Sequence, residues 1–339
     1  KDQPILFCCE NDHKSVLQLK DILKDKVHVV DCMVDRVCLD RYMMPDKLVS
    51  EAEPWHGSIV VLEPTLKKRL PFIPRIATIP KSEKEAEYLS KRKFNLVNGM
   101  HTVLAFLTLM NQFTTDEVEY TLEKYTEMSK FDKRMVEAWR DVRIAQICEE
   151  FGMCNLMKWH QAETHEEVWD CLLAYSDEVL VDRFSMLNDT VSRVLNGGVV
   201  DRWNQRIMTS YNWMKDRMNV NMDVLSPEEK AKQVEMSLPR KKFFRHALAR
   251  GKARSQRKLK KWEKKSSANG DAETSAEAIE VNFREVDLPD IDKDEMATET
   301  YLEFSEKLIM KYLTHLVQGA EKFCSKEYDF IHLGKHKNL

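Results

Sequence analysis

Glycine and proline are scarce in this chain, with nine and ten among 339 residues. So few turn-forming residues, beside abundant leucine, methionine, glutamate and lysine, argue against a turn-rich all-β fold and for a mostly helical one. The glycines never occur as GxG, so no GxGxxG or comparable fingerprint is present to cradle the pyrophosphate of a dinucleotide. No CxxC pair occurs among the eight cysteines and no signal-like amino terminus is seen, a pattern expected of reduced thiols in the cytoplasm rather than of a disulfide framework. The longest apolar run, TVLAFLTLM at 102–110, is too short to cross a bilayer, so no membrane partner is expected. A strong excess of one charge is also missing: the net charge is −3, so nucleic-acid binding is not expected of the whole molecule, and any such binding must be local.

What is present is 43% hydrophobic residue content over a length sufficient for one large or two ordinary domains. PILFCC at 4–9 reads as a buried strand, and KSVLQLKDILKD after it carries a helical apolar stripe. VHVVDCMV at 27–34 and GSIVVLEP at 57–64 read as two more strands, giving β-α-β-loop-β, and the proline-rich LPFIPRIATIP closes this region at 70–80. The chain opens on Lys1 and almost at once enters PILFCC, which suggests that the sequence begins inside a larger fold.

From Ser82 onward the spacing is helical. Capping signatures stand at Thr114-Thr115-Asp116-Glu117 and Thr164-His165-Glu166-Glu167, a break is expected at Gly197-Gly198, and SPEEKAKQVEMSL at 226–238 starts with a clear amino-terminal signal. The expected organisation is an α/β part at 1–81, a helical domain at 82–239, a basic then acidic flexible insertion at 240–296, and a carboxyl-terminal helix within 297–339. That last helix aligns Tyr301, Phe304, Leu308, Tyr312 and Leu316 on one face and is expected to dock on the body. The fold class is thus mostly α, with an α/β portion preceding an all-helical domain.

Several residues carry possible chemistry. In KRKFNLVNGMH at 91–101, Lys93, Asn98 and His101 fall within about 140° of one another on a regular helix, so all three can face one cavity, although each is also an ordinary polar residue of a helix surface. Asn11 follows the first strand, where α/β folds place ligand-binding residues, and serves equally well as a turn former. Arg183, Arg193 and Arg202 offer guanidinium forks for hydroxyls, carboxylates or phosphate, or for pairing with the neighbouring aspartates. Cys148, Cys154, His160 and His165 are zinc-ligand types, but their spacing is too wide and the segment helical, so no metal is expected. The basic run at 240–265 contains Phe243, Phe244 and Trp262 and reads as a solvated or partner-binding segment rather than a nucleic-acid module.

CCEN at 8–11, VVDCMVDR at 29–36, Lys93-x4-Asn98-x2-His101, and RF…DTVSR from Arg183 to Arg193 occur in the order found in the long-chain mannitol dehydrogenase family of polyol-specific long-chain dehydrogenases. The resemblance covers residues 1 to about 215. CENDHKSVLQLKD and VVDCMVDR resemble the mannitol-1-phosphate 5-dehydrogenase branch more than the mannitol 2-dehydrogenase branch.

The resemblance implies the end of a Rossmann-type domain joined to a helical substrate domain, NAD or NADP as cofactor, no metal, and a small-molecule polyol or polyol phosphate as substrate. By it, Lys93 is the general base, Asn11 and Asn98 donate to the developing alkoxide, His101 binds a neighbouring hydroxyl and helps hold Lys93, and Arg193 with Arg202 binds the distal substrate. The chain departs from the family in lacking the glycine turn, in carrying Asp201 where a lysine is expected with Arg202 beside it, and in being two residues shorter between Arg183 and Asp189. Mannitol 2-dehydrogenase and hexuronate reductase activities are alternatives within the resemblance. A scaffold or regulatory protein derived from such an enzyme, with the basic run as its partner surface, is the alternative outside it.

Overall fold

The computed structural model describes residues 3–9, 12–55, 57–66, 70–73, 75–114, 119–269 and 299–324, with backbone only at 39–41, 252–269 and 299–304. It is mostly helical with a small sheet. Among the described residues no helix is long and apolar enough to cross a membrane. Two compact units divide the chain, Lys1–Trp213 with Tyr312–Leu339 and Met214–Lys311.

In the first unit, β1 (Ile5–Cys8), α1 (His13–Leu23) and β2 (His28–Asp35) form a β-α-β turn with the two strands parallel, Cys8 opposite Asp31. Asp12 caps α1 by accepting from the Ser15 amide at 3.3 Å. The expected loop contains a hairpin instead, β3 (Cys38–Met43) with β4 (Leu48–Ala52), joined through a turn at Pro45-Asp46. β5 (Ser58–Val61) then runs antiparallel to β2, and the short β6 (Ala77–Thr78) parallel to β5, so the four-stranded sheet is mixed, in the order β1-β2-β5-β6. Val30, Cys32 and Val61 form its core, and Phe7 meets Phe72 edge-on at 5.3 Å.

The helices begin with α2 (Glu83–Lys93), capped by Ser82, whose hydroxyl accepts from the Glu85 amide. A π turn at Phe94–Asn98 leads without a break into α3 (Gly99–Gln112). Every residue of α3 from Gly99 to Leu109 is buried, which makes it the central helix, with α4 (Lys130–Phe151) packed against it. Gly99 permits the approach: a Cβ there would come within 2.4 Å of Arg143 Nη1 in α4.

α5 (Met153–His160) and α6 (His165–Asp177) follow. Thr164 caps α6 by accepting from the Glu167 amide, and Glu167 reaches back to the Glu163 amide at 2.7 Å, as the capping signature requires. A second π turn covers Glu178–Arg183, and a third, Trp203–Met208, lies between α8 (Val199–Arg202) and α9 (Thr209–Met218). The expected break falls at Gly197-Gly198, both with positive φ, between α7 (Val191–Val194) and α8.

One expected helix does not form. Residues 119–128 are irregular, because Thr121 bridges Thr190, the Leu122 amide donates to the Asp189 carbonyl, and the Val191 amide donates to the Tyr120 carbonyl. These long-range bonds replace the helical ones that the local spacing favours; Thr115, Asp116 and Glu117 of the capping signature lie outside the described residues.

The expected boundary at 81/82 does not separate compact units, because buried charges join helices to sheet. Arg183 Nη2 meets Asp35 of β2 at 3.2 Å and Glu53 beyond β4 at 2.7 Å, and all three side chains are less than 5% exposed. Its guanidinium also covers the Trp55 ring at 4.0 Å.

In the second unit, the helix expected at 226–238 and the basic run belong to one helix, α10 (Pro227–Asn269), with Pro239 inside it. The basic run up to residue 265 is therefore helical, which corrects the expectation of a flexible insertion starting at 240. Phe243 and Phe244 are buried and so are not offered to a ligand; the Trp262 side chain and residues 270–298 lie outside what is described. The last helix, α11 (Glu299–Ala320), forms as expected and passes into the first unit at Tyr312; of its expected face Leu316 is buried, Leu308 and Tyr312 are only half-buried, and the Tyr301 and Phe304 side chains lie outside what is described, while Ser305, Ile309, Leu313 and Ala320 complete the buried stripe.

Two outcomes test this packing. Arg183→Met leaves Asp35 and Glu53 buried without their cation and is expected to cost about 3–5 kcal/mol in urea unfolding; a loss under 1 kcal/mol would count against the pairing. Gly99→Ala is expected to destabilise by about 1–3 kcal/mol through overpacking against Arg143, although helix propensity alone favours it by about 1 kcal/mol, so a stabilised variant would show that Arg143 does not press on Gly99.

Candidate active site

Lys93 ends α2, Asn98 ends the π turn and His101 lies in the first turn of α3, so one unbroken helical run carries all three. A π turn holds more residues than an α turn, so later positions lag their regular directions by roughly one residue's rotation, about 100°. The lag turns Asn98 and His101 back towards the direction of Lys93, and the sector expected of a regular helix narrows.

Lys93 is buried, and its Nζ donates to the Val34 carbonyl at 2.5 Å, which fixes the amine at the carboxyl end of β2. Its charge acts on His13 at the start of α1. The His13 ring bonds Asp31 at 2.9 Å, and this bond raises its pKa against the opposing effects of burial and of Lys93. Asn11, two residues before His13, lies outside the described residues.

Beneath Lys93, the preceding Arg92 lies over the Tyr175 ring at 4.4 Å and near the Tyr88 ring at 5.7 Å. Tyr175 donates to Asp35 at 2.8 Å, and Tyr88 donates to His160 Nε2 at 2.5 Å. The end of α2 is therefore clamped through the same Asp35 that holds Arg183.

Asn98 is half-buried. Its main-chain carbonyl accepts from Thr102 Oγ1 at 2.9 Å and from Arg206 Nη1 at 3.4 Å, while its carboxamide has no hydrogen-bond partner among the described residues. His101 is buried and stacks on Phe184 with ring centroids 4.1 Å apart. Its Nε2 meets Asp189 Oδ2 at 3.0 Å. Burial lowers the His101 pKa, the Asp189 bond opposes this, and Arg193 and Arg206 lower it further, so the imidazole is held neutral. The proton then sits on Nε2 facing the carboxylate, and Nδ1 presents a lone pair.

Asp189 is placed by the irregular 120–122 segment, through the Leu122 amide on its carbonyl. Burial alone would raise its carboxyl pKa, but hydrogen bonds from Arg193 and His101 hold it below the usual range. Arg193 places Nε and Nη2 on the two Asp189 oxygens and Nη1 on the Cys38 carbonyl at 3.3 Å. His101 and Arg193 thus converge through Asp189. Arg202 is set apart from them, with Nη2 on the Asn196 carbonyl at 2.9 Å.

Sequence reasoning did not single out His13, Phe184, Asp189 or Arg206 as site residues. Phe184 and Asp189 lie within the RF…DTVSR stretch and were legible there as residues adjoining Arg183 and Arg193. Arg206 carries no motif; its only sequence signal is its position four residues after Arg202, on the same helical side.

The zinc-type residues serve other ends. Burial pushes the Cys148 thiol up to about 12, Cys154 is exposed, and His160 is the Tyr88 acceptor. Among the described residues, no group of three histidine, cysteine or acidic side chains is arranged to hold a metal.

No family model matches the chain, and no curated protein is significantly similar to it.

The desolvated imidazoles of His101 and His160 set an acid limit. Burial, with the charge of Arg92, lowers His160 to about 4, and His101 shifts the same way. Between pH 6.5 and about 4 the unfolded chain therefore binds more protons, and stability present above 6.5 is lost as pH falls through that window, by up to about 1.4 kcal/mol per pH unit for each such histidine. Urea midpoints at pH 7, 5.5 and 4.5 are expected to fall steadily, and less steeply in His160→Gln. Parallel profiles in the two proteins would count against a neutral, half-buried His160.

Proposed function

We propose that this chain is the substrate-handling part of an NAD- or NADP-dependent polyol dehydrogenase, interconverting a polyol or polyol phosphate with its ketose, mannitol 1-phosphate with fructose 6-phosphate being favoured. In this reading the α/β part belongs to a Rossmann-type domain and the helices to a substrate domain. The observation that carries it is the π-turned helix that joins a buried lysine, a carboxamide without a partner among the described residues, and a histidine held neutral.

Oxidising a secondary alcohol removes a proton from oxygen and a hydride from carbon. Lys93, buried and oriented by the Val34 carbonyl, takes the proton in its neutral form. The Asn98 carboxamide donates to the alkoxide as charge develops there, a fixed dipole that needs no reorganisation. His101 Nδ1 accepts from a neighbouring substrate hydroxyl, and Arg193 positions His101 by holding Asp189. The same groups serve the reverse reaction, with Lys93 returning the proton.

NAD or NADP supplies the hydride exchange in this reading. No GxG occurs among the nine glycines, so the residues present do not fit the close approach that a dinucleotide pyrophosphate demands, and no step through the nucleotide is derived from them. That misfit favours a second reading, a non-catalytic scaffold or regulatory protein derived from such an enzyme.

Oxidation of NADH or NADPH with fructose 6-phosphate, and separately with fructose, separates these readings. Activity with fructose 6-phosphate is expected, falling at least about 100-fold in Lys93→Ala. Activity with fructose alone would move the assignment to mannitol 2-dehydrogenase chemistry. Inactivity of the folded protein with both would favour the scaffold.

A further inference from the structure

The arginines around the site fall into two groups. Arg140, Arg183 and Arg193 each bind carboxylates: Asp141 and Asp177, Asp35 and Glu53, and Asp189. Arg143 and Arg206 have no carboxylate partner among the described residues. Arg143 is 1% exposed and donates from Nη2 to the main-chain carbonyl of Arg206. Arg206 is half-buried, with Nη1 on Thr102 Oγ1 at 3.1 Å and on the Asn98 carbonyl, and with its guanidinium 5.7 Å from the Phe94 ring. Arg202, one turn before it, is hydrogen-bonded among the described residues to the Asn196 carbonyl alone, and the charge of Asp201 partly offsets its own. The Nε of each of the three is buried without a hydrogen-bond partner.

A buried cation beside a half-buried one, with no carboxylate on either among the described residues, is costly, since buried charges are ordinarily paired. Burial lowers both and a neighbouring cation adds to it in each case, Arg143 to about 9 beside Arg206 and Arg206 to about 10 beside Arg202. The unpaired charge is also close to the chemistry: Arg206 bonds the turn from Asn98 to Thr102 and is one of the cations acting on His101.

We propose that Arg206, with Arg202 beside it and Arg143 behind it, is the subsite that holds the phosphate group of a polyol phosphate substrate. This assignment rests on the polyol dehydrogenase reading and narrows its substrate class. A phosphate monoester carries about −1.5 to −2 at neutral pH, which matches the two uncompensated arginines, whereas a carboxylate supplies one charge. Arg206 and Arg202 are exposed enough to touch the phosphate oxygens. Arg143 is a positioning residue, contributing its field and its grip on the Arg206 main chain. Arg193, the other candidate for this role, already spends its fork on Asp189.

Calorimetric titration of the full chain with mannitol 1-phosphate, inorganic phosphate, mannonate and mannitol tests this without requiring turnover. Mannitol 1-phosphate is expected to bind tighter than mannonate or mannitol. Arg206→Gln is expected to weaken mannitol 1-phosphate roughly 10- to 100-fold, a larger factor than it costs mannitol, with partial recovery in Arg206→Lys. Arg202→Gln, at a more open position, is expected to show a smaller loss and guards against misfolding of the Arg206 variant.

Undiminished mannitol 1-phosphate binding in Arg206→Gln would overturn the subsite while leaving the dehydrogenase reading intact. Tighter binding of mannonate would overturn phosphate in favour of a carboxylate. Inorganic phosphate bound as tightly as the sugar phosphate, and lost in Arg206→Gln, would uphold the anion site and count against the polyol reading. Absence of binding by mannitol 1-phosphate, inorganic phosphate and mannonate would overturn the proposal.

Discussion

The first unit depends on the burial of Arg183 between Asp35 and Glu53. Three charges removed from water have a desolvation cost that only close geometry offsets, and the guanidinium meets both carboxylates while its face covers Trp55. Asp35 also takes the Tyr175 hydroxyl, and Tyr175 lies under Arg92. A bond that ties helix to sheet thereby fixes the end of α2, where Lys93 stands with its amine on Val34, the neighbour of Asp35. Moving Arg183 would disturb the placement of Lys93 without touching it.

A second theme is the π turn. The three such turns in the first unit end in Asn98, end in Arg183 and contain Arg206. Each gives up regular hydrogen bonding to redirect the residues after it, a trade commonly found near functional sites. The helical period alone places Lys93, Asn98 and His101 in a broad sector, and the π turn draws them together. No residue type in FNLVN announces that turn, since its stability comes from the surroundings: buried Leu96 and Val97, Arg206 on the Asn98 carbonyl, and Arg143 against Gly99.

Charge pairing divides the arginines by role. Those matched with carboxylates hold the frame, and Arg193 extends that frame to His101 through Asp189. Those without carboxylates gather beside Asn98, where they make the region positive in a protein whose net charge is −3. Overall charge therefore says little about the surroundings of Asn98, because the local field is set by which cations are left without carboxylates.

Much was legible from residue order alone: the β-α-β start, the onset of helix after Ser82, the capped α6, the break at Gly197-Gly198, the apolar run that becomes α3, and the grouping of Lys93, Asn98 and His101 on one helical run. These are set by patterns local to a few turns, through apolar spacing and side-chain caps. Tertiary structure decided the rest. Residues 119–128 gave up an expected helix for bonds to Asp189 and its neighbours, the strand at 58–61 turned antiparallel to β2, and Phe243 and Phe244 went into a core rather than to a ligand. The pairing of Arg193 with Asp189, four residues before it, was among the local options, but the partners of Arg143, Arg183 and Arg206 could not be read in advance, because long-range pairing depends on which side chains the completed fold brings within hydrogen-bond distance, and local spacing carries no record of it.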